Sequence, residues 1–344
     1  MNSLQISLLV AGGATLLAVV LYNQWVSRKS APRQAEQSEA EAATEPGMAT
    51  DTGPVEPVLE DDFQNLPQPE RKPVLDALID VISTIEVDQP VSGDAALAAL
   101  PGTRRVGTKP FHVEGCSELS GEWETLMPGR RYSAFQAGVQ LANRMGPLNE
   151  IEFSEFVVKA QAFADAVGGT PSFSDMLEEV ARGRELDQFA SAHDAQLSFT
   201  LVARAAAWSP GYIHQHAARL GFVAGVIPGR MVLPSTVQGL PPVLSLTFDT
   251  QAAMADDPAL SAVRDCVLSL DVPQVPRGEQ PYARLQQATQ LLAEQMDGVV
   301  TDGANQVLAP EVMHQIGQDL EQLYDALDSR ELSAGSPQAR RLFS

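Results

Sequence analysis

The chain has 344 residues, with 44 acidic against 23 basic side chains and a formal charge of −21. That balance excludes a general nucleic-acid binder, which needs a basic surface for phosphate. Hydrophobic residues make up 44% of the chain, enough for about two packed domains. The two cysteines, Cys116 and Cys266, lie 150 residues apart in no CxxC or Cys/His pattern. Neither a disulfide framework nor a structural zinc site is expected, and a reducing compartment fits best.

The first predicted element is a membrane anchor over residues 1–27. From Ile6 to Tyr22 there is no charge, and the apolar stretch from Leu4 to Trp25 is 22 residues long. At about 1.5 Å per residue this matches a hydrocarbon core of about 30 Å. Tyr22 and Trp25 suit the interface, and Arg28 and Lys29 follow at once with no basic residue before the run. The positive-inside rule then leaves the N-terminus outside and the bulk of the chain in the cytoplasm. The exit LYNQWVSRK lacks the small-x-small pattern of a cleaved signal peptide.

Residues 28–73 change character, being rich in Ala, Glu, Gln and Pro and poor in large apolar side chains. Such a segment cannot bury enough surface to offset its ordering entropy, so a flexible acidic linker is expected. As a coil it would span about 35–40 Å root-mean-square.

From residue 74 the pattern becomes globular and occurs twice, in 74–193 and in 194–332, with 333–344 as a tail. Ten-residue strands are predicted over 78–87 and 196–205, each followed by a turn and a short Ala-rich helix ending at Gly102 or Gly221. Further strands follow, including alternating segments over 135–143 and 266–274. Two long amphipathic helices come next. An offset of 129 places Phe153 on Tyr282, Phe156 on Leu285, Ala164 on Ala293 and Gly169 on Gly298. A last helix is clear over Val312 to Leu327 but poorer over 175–189, where Gly183 interrupts it. The expected fold class is α+β: two tandem split β-α-β domains, each an antiparallel sheet with helices on one face.

No catalytic or metal-binding constellation is present: no Walker A, GxGxxG, GxSxG or HExxH sequence occurs. His214 and His216 are spaced i, i+2, which points them to different helix faces, and surface positions are expected for both. Arg340-Arg341 is too short a basic run to imply a partner. No cofactor is expected and the chain reads as a non-enzyme, with the open sheet face as a surface for an amphipathic peptide.

The anchor ends in NQWVSRK, a Pro/Gln/Glu linker follows, and residues 194–330 carry a run of pieces: GFVAGVIPGRM, PPVLSLTF, CVLSLDVP, EQMDGVVTDG and LAPEVMHQIGQDLEQLYDAL. In this order and spacing the layout resembles the ZipA family of bacterial cell-division proteins. The resemblance implies an inner-membrane protein that tethers the tubulin-like division protein FtsZ by binding its C-terminal tail, with other division proteins as further partners. The implied binding residues lie on the exposed sheet face: Ile227, Val243, Ser245, Thr247, Asp249, Val267, Ser269 and Asp271. The family's large groove positions match Ile227, Asp249 and Ser269, of which two are polar here. That exchange removes about 2–4 kcal/mol of apolar contact. The family usually has one such domain, so 74–193 is an additional, diverged copy. The alternative is a membrane-anchored adaptor or small-ligand sensor, kept open by the turns Pro101-Gly102 and Pro228-Gly229. A purely structural scaffold is the third.

Overall fold

The computed structural model describes residues 32–35, 74–257, 260–304 and 306–344. The membrane anchor and nearly all of the linker lie outside the described residues. Among the described residues no helix is long and apolar enough to cross a membrane. The fold is mixed α+β, with antiparallel sheets and eight helices among these residues. The chain divides into two compact units, one holding residues 38–192 with 341–344, the other residues 1–37 with 193–340.

The first unit opens with β1 (Asp80–Ser92) and α1 (Gly93–Ala99). There follow β2 (Arg105–Val106), β3 (Lys109–Ser117), β4 (Trp123–Thr125) and β5 (Arg131–Gln140). A small ribbon of β6 (Ala142–Asn143) and β7 (Gly146–Pro147) leads to α2 (Glu150–Val167). The unit continues with β8 (Gly169–Ser172) and α3 (Met176–His193). The sheet order is β2-β3-β5-β1-β8, with β4 on the outside of β3.

Alternation decides its core face. Val81 and Ile85, Phe111 and Val113, and Phe135, Ala137 and Val139 are buried. They meet the stripe Phe153, Phe156, Ala160 and Phe163 of α2, whose spacing is that of one helix face. Phe135 and Phe163 stack edge to face at 5.3 Å. Helix α2 starts at a capping box: Asn149 accepts from the Ile151 and Glu152 amides, and Glu152 reaches back to the Asn149 amide. It ends on Gly168 in the left-handed conformation.

The second unit holds β9 (Gln196–Ala203), α4 (Pro210–Arg219), β10 (Val223–Ala224), β11 (Arg230–Leu233) and β12 (Leu244–Thr247). Then come α5 (Thr250–Ala253), β13 (Asp265–Asp271), α6 (Pro281–Met296) and β14 (Gly298–Thr301). The closing helices are α7 (Pro310–Ser329) and α8 (Pro337–Leu342), the end of the latter belonging to the first unit. The sheet order is β10-β11-β12-β13-β9-β14. Phe199, Leu201, Leu246, Cys266, Leu268 and Leu270 are buried beneath Leu285, Thr289, Leu292 and Met296 of α6.

The two sheets share one arrangement. In each, the unit's first strand lies between the main sheet's last strand before the long helix and the strand after that helix: β5-β1-β8 and β13-β9-β14. The offset of 129 holds in the core stripes, where Phe156 and Leu285, Ala160 and Thr289, and Phe163 and Leu292 are all buried.

Three expectations need correction. Part of the linker, residues 32–35, is docked on the second unit, where Arg33 forms a parallel bridge with Trp208. The segment 333–344 is not a free tail: Ala339, Leu342 and Phe343 are buried and Arg341 pairs with Asp80 at 2.6 Å. Gly183 does not interrupt α3: the helix runs through it, at a point where an added Cβ would lie 2.9 Å from the Leu141 carbonyl oxygen.

Candidate partner-binding face

The face of the first sheet opposite α2 is closed by the chain itself. His112, Gly138 and Ile82 form one row of it, and Glu114, Gln136 and Thr84 the next. Leu75 lies over Gly138 so tightly that an added Cβ would come within 2.4 Å of its side chain. Glu114 accepts from the Val74 and Leu75 amides and, at 2.7 Å, from Gln136. Arg341 donates to Asp80 and to the Val74 carbonyl, and Gln140 donates to the Arg341 carbonyl at 2.8 Å. Burial holds the Asp80 carboxyl above its ordinary range, against the pull of the Arg341 guanidinium. Gln136, Gly138 and Gln140 alternate onto this covered face.

In the second unit the corresponding face carries small side chains. Ser245, Ser269 and Ser198 share one register row, and Thr247, Val267 and Thr200 the next. Ser245, Thr247, Val267, Ser269 and Asp271 are all half-exposed, while their neighbours Leu246, Leu268 and Leu270 are buried. The Ser245 and Ser269 hydroxyls are paired at 3.0 Å. The result is a half-exposed surface of hydroxyls around Val267. Such a face offers hydrogen-bonding groups and shallow apolar contact to an extended or helical segment that brings its own large anchors.

Three of the expected binding residues do not share this face. Val243 is buried, 1% exposed, because the strand begins only after Pro241-Pro242 and its amide donates to the Leu233 carbonyl. Asp249 leaves the sheet to cap α5, accepting from the Gln251 amide at 2.8 Å. Ile227, 54% exposed, sits on the turn joining β10 and β11 together with the fully exposed Val226, next to the exposed Val223 of β10. Positive φ at Gly229 and its close approach to the Phe248 carbonyl set this turn. The run VAGVIPGRM signals such an apolar tip, since its valines and isoleucine flank a Pro-Gly turn. Ile6, Tyr22, Trp25, Arg28 and Lys29 lie outside the described residues.

No metal-ligating cluster of His, Cys, Asp and Glu occurs among the described residues. His214 and His216 do point to different sides, but His216 is buried rather than on the surface. It stacks on Tyr212 at 4.4 Å and faces Gln295 at 3.1 Å, whereas His214 packs against the Phe248 ring. A cleft of about 70 Å³ lies in the first unit, lined by Leu97, Leu100, Pro101, Arg104, Phe111 and Leu126. No protein-family model matches the chain, and no curated protein matches it.

Proposed function

We propose that the chain is a membrane-anchored, non-enzymatic division protein of the ZipA type, tethering FtsZ to the cytoplasmic face of the inner membrane. In this reading it holds two tandem split β-α-β domains, each with its helices on one face of an antiparallel sheet. The observation that carries it is the asymmetry between the two sheets. In the first unit the face opposite α2 is covered by Leu75 and the chain end, whereas Ser245, Thr247, Val267 and Ser269 of the second unit stay half-exposed, which supports a partner surface there. The bound segment would be the FtsZ tail, lying over Val267 and Ser269 with an edge on Ile227. Shallow contact is compatible with tethering, because an anchored site meets many tails of one polymer and multivalency multiplies a weak affinity.

The test is flotation of the full chain in vesicles with FtsZ, with and without the FtsZ C-terminal tail. Tail-dependent recruitment is expected, weakened about tenfold by Val267→Glu or Ile227→Glu. Recruitment that ignores both the tail and these substitutions would refute this reading. The sensor reading draws support from the cleft beside Pro101, and thermal stabilisation of the chain by a small apolar ligand, lost in Leu100→Arg, would favour it.

A further inference from the structure

Residues 32–35 occupy a built site on the second unit. The Arg33 amide donates to the Ala207 carbonyl at 2.7 Å, and the Ser209 amide donates to the Arg33 carbonyl at 2.8 Å. Between them Trp208 exchanges both backbone bonds with Val263, so Arg33 adds a third segment to a short ladder. The guanidinium then reaches the end of α6, donating to Asp297 Oδ2 at 2.8 Å and to the Met296 carbonyl at 3.2 Å. That carbonyl also accepts from the buried Trp208 indole at 2.8 Å. Ala207 and Ser209 are buried with the segment in place, and Arg33 pairs one acceptor and one donor there.

We infer that this site is a receptor for an extended, arginine-bearing segment, that its occupant is residues 32–35 of the same chain, and that this docking holds the second unit at the membrane surface. The membrane position rests on the anchor proposed above; the docking does not. Lys29 and Arg33 are four residues apart, a reach of at most about 14 Å. The second unit is therefore held short, although it comes later in the sequence, and residues 36–73 become the connection to the first unit instead of the tether of both. A short tether confines the open sheet face to a thin layer at the membrane and raises its effective concentration for membrane-apposed partners.

The geometry supplies its own probe. A Cβ built on Gly211 lies 3.8 Å from the Ala35 Cβ, the usual separation across a disulfide. The full chain in membranes would carry Ala35→Cys and Gly211→Cys, with a protease site inserted in 36–73. After mild oxidation and cleavage the two fragments should stay joined without reductant and separate with it. Either single-cysteine variant should give no link. Arg33→Glu should slow linkage about tenfold, and Arg33→Glu with Asp297→Arg should restore it. Absence of the link, a link between two chains, or indifference to Arg33→Glu would overturn the docking. Hydrogen exchange is the second measurement: the Ser209 amide, which donates to the Arg33 carbonyl, should exchange about tenfold faster in Arg33→Pro, where loss of the Arg33 amide bond to Ala207 undocks the segment. Unchanged exchange would count against the site. Alkaline extraction separates the two readings. An amino-terminal fragment that leaves the membrane while the link forms refutes the anchor and the membrane position. A fragment that stays without a link refutes the docking alone.

Discussion

Burial sets the chemistry of several single side chains in opposite directions. Cys266 is fully enclosed, and burial, helped by Asp265, pushes its thiol up to about 12. Cys116 is half-exposed, its thiol donating weakly to the Gly121 carbonyl at 3.4 Å. Only the thiolate reacts, so a maleimide should label Cys116 alone in the folded chain and Cys266 only after denaturation. Mass spectrometry of the labelled protein reads this directly, and native labelling at Cys266 would contradict its burial. His112 gives a pH dependence. Burial holds its imidazole below 6.5, Arg341 and Arg104 act the same way, and Asp80 and Glu114 oppose them. The unfolded chain then binds this proton more readily than the folded one. The contribution to stability is full above 6.5 and is lost as pH falls through the depressed folded value. Asp80 has the opposite sign: its folded value lies above 3.8, and its contribution falls as pH rises through that window. Comparing the wild type with His112→Gln cancels the Asp80 effect. Urea midpoints at pH 7.5 and 5.5 should differ more in the wild type than in the variant, and equal differences would remove His112 as the cause.

At the scale of elements, the long helices and their strands follow from periodicity, because their buried stripes recur at helical and alternating spacing in the sequence itself. Asn149 with Glu152 three residues on was a readable start signal for α2. Other features depend on what an element meets. Val243 continues the apolar-polar alternation of β12, yet the Pro241-Pro242 pair displaces the strand start and turns its side chain inward. The same limit applies to Gly183, whose sequence context reads as a helix breaker. An added Cβ there would lie 2.9 Å from the Leu141 carbonyl oxygen. Helix propensity alone favours Gly183→Ala by about 1 kcal/mol, whereas forcing a methyl against backbone costs about 1–3 kcal/mol. The variant should therefore lose up to about 2 kcal/mol in urea denaturation. A gain would mean that α3 can move away from Leu141.

At the scale of the whole molecule, the least legible features are those joining residues far apart in the chain. Arg33 meets Asp297 across 264 positions, and Arg341 meets Asp80 across 261. A single arginine in a polar stretch has no periodicity to distinguish docking from solvation, so both segments read as free. For the chain end the energetic consequence is large. Asp80 is 1% exposed and its carboxylate takes two bonds from Arg341, while Leu342 and Phe343 are 1% exposed in the same segment. Deleting residues 341–344 removes both guanidinium bonds to Asp80 and leaves it only the Asp76 amide, a loss of up to about 3–5 kcal/mol. It also uncovers two large apolar side-chain sites, each worth about 1.5–3 kcal/mol. The loss should fall on the first unit alone, since Arg341–Ser344 belongs to it. Hydrogen exchange should accelerate sharply in 74–84 and 136–140 and stay unchanged in 196–203. Asp80→Asn in the truncated chain should recover part of the loss, because the neutral side chain removes the unpaired charge and keeps much of its volume. Equal acceleration in both units would mean that the end of the chain supports more than the face it covers.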